Sequence, residues 1–418
     1  MLQAMLAGVA SIKAQQTRMS VIGNNLANIN TTAFKGSRAL FQDMLSQTLR
    51  GASRPGAALG GTNATQFGLG VMIAGTDVNN MQGSLNATNR ISDMAVQGNG
   101  FFMVSNGDSI GYTRDGSFDL DANGDLVHRA TGQRVVGWTA DPASGVINTS
   151  DPVGPDSFIR VPLGNRTAVQ STTEVKWAGN LDSLVFTQSG IAATTSTVRV
   201  YDSLGTAHDL TLRMSESSVP NIWSYSVTNA AGDTITGGSG QVRFDPTTGA
   251  LTSGSPATIT VTPPVGSGVP AFSMDMDFSK FSQVAAETNV QASSQNGYAS
   301  GSLASFSVNA DGTIVGLFTN GLTRNIAQLG VAIFPNEGGL ERVGSNLWRS
   351  TDNSGIPVVG TATTGGRVQI TSGFLEQSNV DISNEFADLI VTQRGFQANT
   401  KVVTVVDELL QEVINMKR

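Results

Sequence analysis

The segment Asp119-Leu-Asp121-Ala-Asn123-Gly124-Asp125 sets oxygen-bearing side chains at alternate positions before a glycine. That is how a helix-flanked calcium loop begins. Such a loop needs a bidentate glutamate at its twelfth position, where this chain has Ala130, and no helical pattern flanks it. The expectation is therefore a β-turn whose Asp and Asn side chains bond their own backbone. Gly98-Asn-Gly100 and Gly68-Leu-Gly70 are short glycine pairs that open no helix. They read as turn or close-packing glycines, not as a phosphate cradle. His128 and His208 are the chain's two imidazoles, and they lie in different segments. His208, in Ala207-His208-Asp209, shows no partner in the sequence, and no nucleophile elbow with a downstream histidine stands at a strand-to-helix turn. The residues thus predict no catalytic site, no metal site and no bound cofactor.

Composition narrows the classes further. The chain has 418 residues, enough for several domains. Only 14% are charged, against roughly 25% in average globular proteins. The net charge is −7 and no basic cluster appears, which argues against a nucleic-acid partner. There is no cysteine, so disulfides and thiolate metal sites are excluded. A cysteine-free chain suits the cytosol, or export in an unfolded state. No apolar run reaches the ~20 residues of a membrane span. Residues 1–20 lack the basic start and continuous apolar centre of a cleaved signal peptide.

The two ends carry helical periodicity. Leu2, Met5, Val9, Ile12 and Met19 follow a spacing of three and four that stops in the Asn-rich stretch 24–30. At the other end, Phe386, Leu389 and Phe396 are followed, after a phase slip, by Val402, Val406, Leu409 and Val413. Asp381 or Ser383 can cap this second helix, which is expected to run almost to residue 418. Seams this narrow suit pairing with each other or with other copies; the alternative is packing on the chain's own globular core.

The middle is β in character. The 48 glycines are consistent with many turns. Turn pairs such as Asn106-Gly107, Asp115-Gly116 and Asn123-Gly124 punctuate short strands between residues 94 and 138, in the manner of an antiparallel meander. A second β region begins near Thr172, and a third runs from Ser305 to about Ile370, with hairpin signals at Asp311-Gly312 and Asn320-Gly321. Residues 51–75, rich in Gly, Ala and Thr, lack periodicity and read as a linker or a loop. The predicted fold class is mainly β with terminal α-helices. A helical coiled-coil domain (1–30 with 381–418) leads through extended segments (31–71 and 372–380) to an inner β domain (72–163 with 290–371), into which an outer β domain (164–289) is inserted.

Several motifs together resemble the bacterial flagellar rod and hook axial proteins. Gly23, Asn24, Asn25 and Asn28, followed by Phe34 and Lys35, are similar to the family's N-terminal signature. Asn379 and Asp381, then Gln393, Arg394 and Asn399, are similar to its C-terminal one. The segments 95–102 and 112–116 resemble its β core, and 198–209 and 294–298 resemble the insert of hook proteins. The resemblance implies a non-enzymatic subunit that polymerises into a short curved tube, bending as a universal joint between rod and filament. It implies copies of itself as partners, together with rod, hook-cap and hook–filament junction proteins. Export would pass through the flagellar type III apparatus to the outside of the cell, without membrane insertion. A distal rod protein is the nearest alternative, expected to lack the insert. A secreted β-rich adhesin or enzyme is the alternative from another class.

Overall fold

The computed structural model describes residues 2–416 apart from 56–59, 143, 163, 165–166, 185–192, 233, 264–267 and 364–367. Helix α1 spans Leu2–Ala27 and α2 spans Ile382–Met416. At the end of α1 the Asn24 carbonyl accepts both the Asn28 backbone amide at 3.2 Å and the Asn28 side chain at 2.9 Å, so an asparagine amide joins the last bond of the helix ladder. Asp381 caps α2, its Oδ1 accepting the Ser383 and Asn384 amides at 2.8 and 3.3 Å. The helices lie antiparallel: Ser11 meets Asn399, whereas Arg18 meets Asp388.

Residues 51–75, expected as a linker, in part form a paired arm. Ser37–Asp43 pairs antiparallel with Val71–Val78, and Ser46–Arg50 pairs with Thr65–Gly68. This ladder runs beside α1, where Gly70 sits so close that an added Cβ would meet the Ala7 Cα at 3.2 Å. Every residue of the 46–50 and 65–68 strands is exposed. With no buried face there is no apolar alternation for a sequence reading to detect.

Beyond the arm, strands from both sides of the middle region share sheets. Phe101–Ser105 has Ile110–Thr113 on one edge, with Arg134–Val135 and Val331–Ile333 on the other. A five-stranded sheet runs Gly137–Thr139, Thr323–Leu329, Thr313–Phe318, Tyr298–Val308, Thr167–Gln170. Its tight turns fall at Gly312 and Gly321, with φ of +85° and +81°. Phe102, Phe118, Leu126, Ile159, Ile314 and Leu329 fill the core between.

The outer region is a nine-stranded sheet. It curls until Ala193–Tyr201 and Asn289–Gln295 lie alongside each other. Trp177, Trp223, Phe244 and Phe278 are fully enclosed within it. Its entry and exit strands, Glu174–Asn180 and Asn289–Gln295, pair antiparallel. At their base Asn296 Oδ1 accepts the Thr173 amide at 2.9 Å, and Asn296 Nδ2 donates to Thr173 Oγ1 at 2.7 Å.

Candidate functional site

The two terminal helices meet through small and polar residues. An added Cβ on Gly8 would lie 3.0 Å from Val403 Cγ2, and one on Gly395 would lie 3.2 Å from Gln15 Nε2. Asn399 Nδ2 donates to Ser11 Oγ at 2.6 Å, and Arg18 reaches Asp388 at 3.1 Å. Ala14, Ile22, Thr392 and Val406 are buried. Glycine and alanine let the helix axes approach closely.

The expected seam residues divide accordingly. Leu2 opens α1. Met5, Ile12, Met19, Leu389 and Phe396 are half-buried. Val9, Phe386, Val402, Leu409 and Val413 are exposed, from 38% at Val9 to 49% at Val413. Val406, at 7%, packs inside the helix pair. Leu6, Ile390, Val391 and Val405, which the seam reading did not include, extend the exposed apolar surface. These exposed apolar side chains are the candidate contact surface of the helix pair.

Below the helices the motif residues tie four chain segments together. Asn25 Nδ2 donates to the Ser37 carbonyl at 2.7 Å and to Glu385 Oε1 at 2.9 Å, while its Oδ1 accepts the Ser37 amide at 3.0 Å. Asn379 Oδ1 accepts the Gly36 amide at 2.8 Å, and its Nδ2 donates to the Asn79 and Met81 carbonyls. Lys35 Nζ lies 2.6 Å from Glu376 Oε1, a pair 341 residues apart in sequence, with Arg114 Nη1 3.8 Å from the other Glu376 oxygen. All three side chains are buried, and burial pulls the Lys35 ammonium and the Arg114 guanidinium below their ordinary values, against the pull of Glu376. Arg342 lies over the rings of Phe34 and Trp348, 5.1 and 4.8 Å from their centroids, and donates to the Lys35 carbonyl. Burial also raises the Glu385 carboxyl, opposed by its hydrogen bond from Asn25.

The remaining motif residues do less within the chain. Asn28 Oδ1 accepts from Thr31 at 3.0 Å, and Asn24 accepts from Asn28. Gly23, Gln393 and Arg394 are exposed, and a Cβ on Gly23 would meet nothing. Glu376, Arg114, Arg342 and Glu385 were absent from the expected site residues. Arg114 lies within the 112–116 motif and Glu376 and Glu385 lie beside the C-terminal one, but their pairing becomes legible only once distant segments are brought together.

Comparison with known proteins covers both ends and the middle. The flagella basal body rod protein family matches residues 5–35, and the flagellar hook protein FlgE/F/G D1 domain matches 95–175. The flagellar basal body protein FlaE D2 domain matches 170–298, and the flagellar basal body rod FlgEFG protein C-terminal family matches 371–416. The flagellar hook protein FlgE of Borreliella burgdorferi is 36% identical over 100% of both chains. That of Salmonella typhimurium is 32% identical over 98% of each. The chain belongs to the flagellar hook protein family.

Membership makes it a structural subunit of the flagellar hook. One discriminator fails, however. The flagellar basal-body rod protein FlgG of Bacillus subtilis is 29% identical over 100% of both chains. A rod-named relative of full length is thus matched end to end, so the insert does not by itself separate rod from hook.

The chemical candidates have structural places in this subunit. Asp121 Oδ1 accepts the Asn123 and Asp125 amides, the expected self-satisfied turn. Asp125 is buried between Arg160 at 2.6 Å and Arg134 at 3.2 Å. His128 is fully buried, 3.3 Å from Asp115 and 2.9 Å from Thr131 Oγ1. His208, which shows no partner in the sequence, lies 3.0 Å from Asp202 across its hairpin turn. Burial would raise both aspartates, but hydrogen bonds from the histidines and nearby backbone amides outweigh it and hold them below the usual carboxylate range. Each histidine thus braces a turn within a β domain.

Proposed function

We propose that this subunit polymerises with copies of itself into a curved hollow tube that joins rod to filament and bends as a universal joint while passing torque. The observation that supports this is the exposed apolar stripe along one side of α2, Val391, Val402, Val405, Leu409 and Val413 among it, with Val9 and Phe386 exposed elsewhere on the helix pair. Fully burying such a side chain stabilises by roughly 1.5–3 kcal/mol, and a contact that does not close on itself propagates a tube. In this reading residues 1–30 and 381–418 form the inner wall and 31–71 with 372–380 the joint. Residues 72–170 with 297–371, and then 171–296, form the outer shells. The subunit performs no catalysis. It leaves the cell unfolded through the flagellar type III apparatus and contacts the rod, hook-cap and hook–filament junction proteins. The test is Val402→Asp in the full chain. Electron microscopy of concentrated protein should show no tubes under conditions where wild type forms them, while the β domains melt unchanged. Normal tubes from this variant would remove the helix pair from assembly.

A further inference from the structure

On α2, Arg394, Lys401 and Glu408 recur every seven residues, with Glu412 one turn further on. At about 100° per residue these four fall on one column. Nine residues, half a revolution, separate Arg394 from Val403, which packs against Gly8 of α1. The column therefore points away from the partner helix, and all four of its members are exposed. Exposed Val391, Val405 and Leu409 run beside it.

The charges on this column find no opposite charge among the described residues. Neither Arg394 nor Lys401 has an opposite charge three or four residues away, and neither do Glu408 and Glu412. No ion pair involves any of them among the described residues. The residues of α1 nearest the acidic end, 2–5, carry no charged side chain. The signs are segregated along the axis, with both cations preceding both anions.

We propose that this column docks a second copy of the chain, Arg394 and Lys401 of one subunit lying against Glu408 and Glu412 of its neighbour. Copies related by a screw operation run parallel, so like charges face each other at zero offset. Sliding one helix by eleven to fourteen residues, about 16–21 Å, brings cation onto anion. Charges flanking an apolar seam choose the register of a helical interface in this way. The inference rests on the assembly reading above and adds the axial offset between neighbours, which an apolar stripe alone leaves free to slide. It also gives the exposed motif residue Arg394 a partner.

The experiment uses the full chain in two doubly reversed forms, Arg394→Glu with Lys401→Glu, and Glu408→Lys with Glu412→Lys. Tubes are measured by sedimentation. Each form alone should raise the critical concentration about tenfold or more, since like charges then meet at every register. An equimolar mixture should sediment near the wild-type concentration, with both forms in the pellet in equal amounts. Reversed forms that each assemble alone as wild type does would overturn the pairing and leave the assembly reading intact. A mixture that fails to recover would overturn it as well. Val402→Asp judges the assembly reading separately. Unchanged thermal unfolding of each monomer establishes that the column, and not folding, is being read.

Discussion

The helix pair and the β body are packed in opposite senses. In the body, Phe102, Trp177 and Trp223 are enclosed, and buried charges such as Asp125 have partners within the chain. In the helix pair, Gly8, Ala14 and Gly395 line the contact beside Ile22 and Val406, while Val402, Leu409 and Phe386 are left exposed. The body encloses its largest aromatic side chains within one chain. On the assembly reading proposed above, the exposed apolar residues of the helices are covered between chains, so stability and assembly draw on different residues.

That separation is open to direct attack. The largest expected effect is Trp177→Ala, which removes a fully buried indole and should destabilise the outer domain by about 3–5 kcal/mol. Thermal unfolding should show the loss, yet below the lowered transition tubes should still form. Loss of tubes with the outer domain still folded would erase the distinction. A smaller effect, about 1–3 kcal/mol, is expected for Asn25→Ala, which strips Ser37 and Glu385 of their shared partner. Hydrogen exchange should quicken in α1 and α2 and stay slow in the strands; unaltered helix protection would show that the joint does not hold them.

The smallest effect is one of sign. Asp202 and Asp115 are held below their ordinary value of 3.8, so their contribution is present above that pH and is lost as the pH falls through the lower folded value. Glu385 is raised above 4.5 by burial, so the folded helix base takes up its proton first and gains stability as the pH falls through that raised value. Acidification should therefore weaken the β domains while tightening the base of the helix pair. Asp202→Asn should flatten the acid limb of outer-domain melting, and Glu385→Gln should abolish the gain at the helices. Parallel acid responses in both regions would contradict the assignment.

Much of this architecture is legible in one dimension because its causes are local. Asp311-Gly312 and Asn320-Gly321 mark their hairpins because a turn needs a residue at positive φ, and Asp381 marks the start of α2 because helix amides need a cap. The arm at 46–68 is not legible, since both faces of its strands meet solvent. The partner of His208 is missed because Asp202 reaches it only across a turn whose register is unknown beforehand. The seam is half legible. Its apolar spacing reveals helices, but periodicity cannot say which stripe faces the partner, and small residues occupy the side that a hydrophobic pattern passes over. The buried Lys35–Glu376–Arg114 group depends on segments far apart in sequence meeting, which no local pattern encodes.

The clasp between Thr173 and Asn296 has an evolutionary consequence. Because the outer domain leaves and rejoins the chain through two hydrogen-bonded neighbours, its loss would bring together ends that already touch. Joining ends so near each other demands little loop-closure entropy. The outer domain thus behaves as a removable cassette. Its removal would leave the inner body and the helices able to close over the gap without rearrangement.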